Sequence, residues 1–111
     1  IKKRRREIAR ERKMEAEILT IRDEEPVTLH PRVISLIRTA CQERRLAFEV
    51  MPSGAGHDAM QMAKITPTGM IFIPSVKGIS HNPTEWTDPK DICLGTQLLV
   101  ETLLRAAYAK I

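Results

Sequence analysis

The chain has 111 residues, of which 42% are hydrophobic, and a net charge of +4. This length favours one compact domain, and no hydrophobic run reaches the roughly 18 residues that a membrane span requires. The charged N-terminus has no hydrophobic stretch after it, which argues against a signal peptide and favours a cytoplasmic protein.

Positive charge is concentrated at the N-terminus, where "KKRRREIARERK" (2–13) holds eight of the 18 Lys and Arg residues. Nucleic-acid sites commonly combine basic residues with aromatic ones, and this segment contains no aromatic residue. We therefore favour a solvated helix over 1–14, with nucleic-acid binding as the weaker alternative. A strand is predicted near 16–24, since Ile18 to Ile21 favour β structure and Pro26 ends the run.

The remaining chain alternates between helical and strand patterns. The order is a helix over 31–45, a strand over 46–50, a short helix over 57–65, a buried strand over 69–74, and a last helix that begins after Asp88 and runs to the C-terminus. Such alternation predicts an α/β architecture with at least part of its sheet parallel. Cys41 and Cys93 do not form a CxxC pair, and both are expected to be buried free thiols.

Two loops that follow predicted strands could carry chemistry. In "SGAGHDA" (53–59), small residues would let a ligand approach the backbone, and free N–H groups at a helix start favour an anion; a plain turn fits the same pattern. The loop "GISHNPTE" (78–85) contains His81, a candidate metal ligand. Glu85 could orient the His81 imidazole or be a solvated acid. These residues do not by themselves supply the three ligands of a catalytic zinc site.

Three segments together resemble a known family: "PSGAGHDAM", "PTGMIFIPSVKGISHNPTEWT" and "DICLGTQLLVETLL". They are similar to the C-terminal part of the hydantoinase/carbamoylase-type amidases. That family includes N-carbamoyl-L-amino-acid hydrolases and allantoate amidohydrolases, and it belongs with the aminoacylase- and carboxypeptidase-like metallohydrolases. The resemblance implies the end of a lid domain over 1–25 and the C-terminal part of a catalytic domain with a mostly parallel sheet over 26–111. Because the lid of the family usually carries the dimer interface, a homodimer is expected.

The resemblance also implies an activity, namely hydrolysis of the C–N bond of an N-carbamoyl-L-amino acid or a related ureido acid. Two divalent ions assist this reaction, zinc or manganese, with cobalt and nickel as further options. The other metal ligands and the general base are expected before Ile1, so the chain is expected to be a piece of a longer enzyme and inactive alone. The alternative is an inactive relative that binds a small anion. The family motif assigns metal ligation to His81, substrate contacts to Gly54, Ala55, Gly56 and His57, and supporting roles to Ser53, Asp58 and Glu85.

Overall fold

The computed structural model describes residues 2–21 and 23–109 of the chain. Within these ranges the regular structure is helical. It comprises α1 (Lys2–Glu11), α2 (Pro31–Glu43), α3 (Asp58–Met62), a short 3-10 turn (Val76–Gly78) and α4 (Pro89–Ala109). The helices fall close to the predicted ones, and the predicted cap of α4 is confirmed. Asp88 Oδ1 accepts a hydrogen bond from the Lys90 backbone N–H at 3.0 Å, and this bond lowers the pKa of Asp88.

The core lies between α2 and α4. Arg32, near the start of α2, donates to the carbonyl of Ala109 at the end of α4, so the two helices run antiparallel. The buried core residues Ala40, Cys41 and Leu98 lie in this interface, and Ile37, Leu46 and Ile71 pack against them.

The two cysteines differ in their surroundings. Cys41 is a buried free thiol, as predicted, and burial raises its pKa. Cys93 is a free thiol but is exposed, so its predicted burial is wrong. The reason is that the buried positions of α4 are Gly95, Leu98 and Thr102, and Cys93 lies outside that stripe.

The predicted parallel sheet is absent from residues 2–21 and 23–109, since none of them forms a strand. The segments 46–51 and 70–74 instead line an open cleft of about 580 Å³, together with residues of α2 and α4. A strand is stabilised by ladder hydrogen bonds with a neighbouring strand, and no backbone hydrogen bond joins these two segments. The hydrophobic strand patterns are present, but the described residues do not supply the neighbours that would pair them.

The N-terminal part stands apart from this core. Helix α1 has no buried residue, and Lys2 Nζ donates to Thr20 Oγ1 at 2.7 Å, so the following segment folds back along the helix. The strand predicted over 16–24 is not formed by its described residues, and Arg22 lies outside them. Among the described helices, none is long and hydrophobic enough to cross a membrane.

Candidate functional site

The hydroxyl of Ser53 closes the glycine loop on itself. Ser53 Oγ accepts a hydrogen bond from the Ala55 backbone N–H at 3.2 Å and lies 2.7 Å from His57 Nε2. Helix α3 begins directly afterwards at Asp58, as expected, but it has only five residues. A helix dipole is the sum of aligned peptide units, so the predicted attraction of an anion by this helix start is weak. Any ligand here has to be held by the loop.

The two glycines of this loop are not required by the fold of the described residues. A Cβ atom on Gly54 or Gly56 would meet nothing within 4 Å, and neither residue has a left-handed φ. Gly69 differs, because its Cβ would lie 2.6 Å from Val33 Cγ1. Gly78 differs again, since its φ of +66° is left-handed. Without a Cβ atom, the backbone at 54 and 56 is open to close approach by another group.

His57 connects the glycine loop to the segment 70–74, in the third predicted strand. Its half-buried ring meets the ring of Phe72 edge-on, with centroids 5.6 Å apart and an interplanar angle of 63°. Phe72 belongs to the segment 70–74, which leads into the loop of His81. The contact therefore joins the glycine loop to the segment that precedes the His81 loop. Sequence reasoning missed it, because the only available signal was that both loops follow hydrophobic runs.

The loop that carries His81 has a closed base. The Val76 backbone N–H donates to the carbonyl of Trp86 at 2.8 Å, and Ser75 Oγ donates to the carbonyl of Ile79 at 2.6 Å. The first bond joins the two ends of the loop that contains His81, and the second stabilises the turn at its start.

His81 itself has a left-handed backbone, with a φ of 55°. Such a conformation costs a non-glycine residue on the order of 1–3 kcal/mol and is concentrated at functional sites. The His81 backbone N–H donates to Glu85 Oε2 at 2.7 Å. The carboxylate of Glu85 thus braces the strained backbone of His81, a contact that neither of the two sequence interpretations of Glu85 included.

The described residues do not form a metal site on their own. They contain no group of three or more His, Cys, Asp or Glu side chains that could hold an ion. His81 is exposed, and its imidazole is chemically a suitable ligand for zinc. A catalytic zinc usually has three protein ligands, and the described residues around His81 do not supply such a set.

Comparison with known proteins identifies the family. The sequence profile of "Peptidase family M20/M25/M40" matches residues 8–105. The allantoate amidohydrolase of Escherichia coli is 44% identical over 88 residues, which cover 79% of this chain and 21% of the relative. An N-carbamoyl-L-amino-acid amidohydrolase of a Pseudomonas species is 40% identical over 80 residues, covering 72% of this chain and 19% of the relative. The chain thus spans about a fifth of the length of these curated relatives.

A solved structure supports the same assignment. The chain matches an amidase of the hydantoinase/carbamoylase family from Burkholderia multivorans with a TM-score of 0.76 and 34% identity. The match covers 89% of this chain and 24% of that one. The chain belongs to peptidase family M20/M25/M40, and within that family it groups with the amidases of the hydantoinase/carbamoylase type.

Proposed function

We propose that this chain is the C-terminal part of a metal-dependent amidohydrolase that cleaves the C–N bond of an N-carbamoyl-L-amino acid or a related ureido acid. The observation that carries the proposal is the open glycine loop. Gly54 and Gly56 leave their backbone accessible although the described fold does not need glycine there. The names of the amidohydrolase relatives support the substrate class.

Each loop contributes a different function in this proposal. The backbone of Gly54, Ala55 and Gly56 lies against the polar end of the substrate, and His57 contacts the substrate beside it. His81 supplies one ligand of a centre of two divalent ions, zinc or manganese, with cobalt or nickel as further options. When bound, the ions polarise the scissile carbonyl as Lewis acids. Asp58 at the start of α3 and Glu85 behind His81 support the two loops.

Residues 1–25 are assigned to the end of a lid domain that carries a homodimer interface, and residues 26–111 to the catalytic domain. The separation of α1 from the core supports this division, since α1 contributes no buried residue.

The metal assignment is tested by His81→Ala in an enzyme of the relatives' length that carries this segment. Removal of a metal-binding imidazole should lower kcat/KM by at least about a hundredfold and reduce the content of bound zinc or manganese. Steady-state kinetics and elemental analysis measure the two effects. Gln42→Ala, on the exposed surface of α2, is the control and should leave both values unchanged. Unchanged turnover together with unchanged metal content in His81→Ala would contradict the assignment.

The 111-residue chain alone gives a complementary measurement. One imidazole cannot hold two ions, so the isolated chain should contain no stoichiometric zinc or manganese after dialysis. Tight binding of two ions by the isolated chain would show that the ligands lie within it, and the assignment of missing ligands to a longer enzyme would be wrong.

A further inference from the structure

Helix α4 has a polar flank that lies along α2. Gln97 and Glu101 accept hydrogen bonds from the Arg44 guanidinium, at 3.1 Å and 2.9 Å, and Arg105 donates to Glu43. Gln97, Glu101 and Arg105 follow one another at intervals of four residues, which places them on one side of the helix. These contacts therefore fix which flank of α4 faces α2.

The opposite flank of α4 is hydrophobic and exposed. Successive residues of an α-helix are about 100° apart, so Ile92, Leu99 and Leu103 lie roughly 180° from the polar flank. Their exposed fractions are 47%, 50% and 60%. A helix that is hydrophobic on several sides is usually buried on all of them, whereas the buried residues of α4, such as Leu98, lie on one side.

The hydrophobic flank borders the open cleft. On the helix surface Gly95 lies between the two flanks, and a Cβ atom on it would lie 2.5 Å from Ile73 Cγ2. Asp91 and Leu94 line the cleft together with the segment 70–74. Helix α4 thus rests on this segment with α2 along its polar flank. Among the described helices, only α2 packs against α4, so none of them covers the hydrophobic flank.

The spacing on the hydrophobic flank indicates what covers it. Ile92 and Leu99 are seven residues apart and Leu99 and Leu103 are four apart, which is the spacing of a seam between two helices. Helices that pack side by side have axes about 8–10 Å apart, and such a neighbour would reach this flank. The chain spans about a fifth of the length of its curated relatives, so an enzyme of that length contains ample sequence for a further helix.

We propose that Ile92, Leu99 and Leu103 form the docking face for a further helix of the same polypeptide, which lies beside α4 in an enzyme of the relatives' length. The inference rests on the proposed function, because that function makes this chain the C-terminal part of such an enzyme. The docking helix belongs to the preceding part of the enzyme and presents a hydrophobic stripe of its own. Leu104 lies about 180° from Gly95 and therefore faces away from the segment 70–74 and stays exposed.

Two adjacent leucines give a matched test of the docking face. Leu103 and Leu104 are 60% and 54% exposed in this structure, and alanine is favourable at either position of a helix. In the longer enzyme Leu103→Ala should lower the Tm by about 5 °C or more, because it removes a buried side chain. Leu104→Ala is the control and should lower the Tm by less than about 2 °C. Equal Tm values for the two variants would overturn the proposal.

Photo-cross-linking of the wild-type longer enzyme identifies the occupant even if Leu103→Ala does not fold. Leucine is replaced throughout by photoleucine, and the products are mapped by mass spectrometry after irradiation. The expected product keeps the monomer mass in denaturing electrophoresis and joins Leu99 or Leu103 to a peptide from outside these 111 residues. A product of twice that mass, joined at either leucine, would assign the flank to a second copy and overturn the proposal. Reaction of both leucines with water alone would overturn it as well.

Activity measurements separate this inference from the proposed function. If the longer enzyme hydrolyses a ureido or carbamoyl acid while Leu103→Ala and Leu104→Ala have equal Tm values, only the docking face is wrong. If Leu103 is covered by its own polypeptide and the enzyme hydrolyses none of these acids, the docking face stands and the proposed function fails.

Discussion

At the scale of single residues, the glycines differ in whether packing or backbone conformation requires a residue without a Cβ atom. Gly95 on α4 serves packing, because a Cβ there would lie 2.5 Å from Ile73 Cγ2, and Gly69 serves packing against Val33. Gly78 serves conformation through its left-handed φ. Gly54 and Gly56 serve neither purpose in the described structure, so substitution should separate binding from stability at these positions.

Matched substitutions test this difference. Gly69→Val should destabilise the 111-residue chain by about 1–3 kcal/mol, the usual cost of overpacking, as measured by urea unfolding. Gly56→Val should change the free energy of unfolding by less than about 0.5 kcal/mol. In the longer enzyme, however, Gly56→Val should raise KM by about tenfold or more, because the side chain occupies the space of the substrate. A loss of stability in Gly56→Val equal to that in Gly69→Val would mean that the glycine loop is structural.

At the scale of elements, charged pairs flank the contact between α2 and α4. The Arg44 guanidinium donates from Nε to Glu101 Oε1 at 2.9 Å and from Nη1 to Gln97 Oε1 at 3.1 Å. Arg105 donates to Glu43 further along the same interface. The hydrogen bonds from Arg44 hold the pKa of Glu101 below its usual value. These pairs lie at the edge of a small core and help to fix the register of the two helices.

The Glu101 pair should make the stability of the chain dependent on pH. Because the pKa of Glu101 is lower in the folded than in the unfolded chain, its contribution is complete above the usual Glu pKa of about 4.3. That contribution is lost as the pH falls through the folded-state value. The difference in Tm between wild type and Glu101→Gln should therefore be constant near neutral pH and shrink below about pH 4. Glu15→Gln, an exposed acid without an ion pair among the described residues, is the control and should have little effect at any pH. A Tm difference for Glu101→Gln that does not change with pH would contradict this.

At the scale of the whole molecule, the described chain is extended. Its radius of gyration is 19.4 Å, compared with about 13 Å for a compact domain of this length. Phe48 and Phe72, which line the open cleft, are 42% and 54% exposed. Strands of a parallel sheet are normally buried on both faces, which is why they are rich in hydrophobic residues. The exposed hydrophobic side chains of the cleft fit such strands. We therefore expect the segments 46–51 and 70–74 to become strands in an enzyme of the relatives' length.

Hydrogen exchange tests this expectation. The amides of residues 47–51 and 70–73 have no backbone acceptor within the described part of the chain, so they should exchange rapidly in the 111-residue chain. In the longer enzyme, ladder hydrogen bonds should protect them to the degree seen for buried strands. The amides in the middle of α2 are the internal reference, since they are hydrogen-bonded in both forms. Equal exchange rates for 47–51 and 70–73 in the two proteins would show that no sheet forms there.

The sequence by itself determined the helices, the cap at Asp88 and the two loop motifs that lead to the family. Helical hydrogen bonds join residues four apart, and capping bonds are equally local, so consecutive residues encode them. The strand patterns in the sequence were not sufficient to predict a sheet, because a strand has to pair with a segment that is distant along a chain. Only the tertiary structure decided the exposure of Cys93, the contact of His57 with Phe72, and the bracing of the His81 backbone by Glu85. Those features depend on which faces and loops meet in space, which residue spacing does not specify.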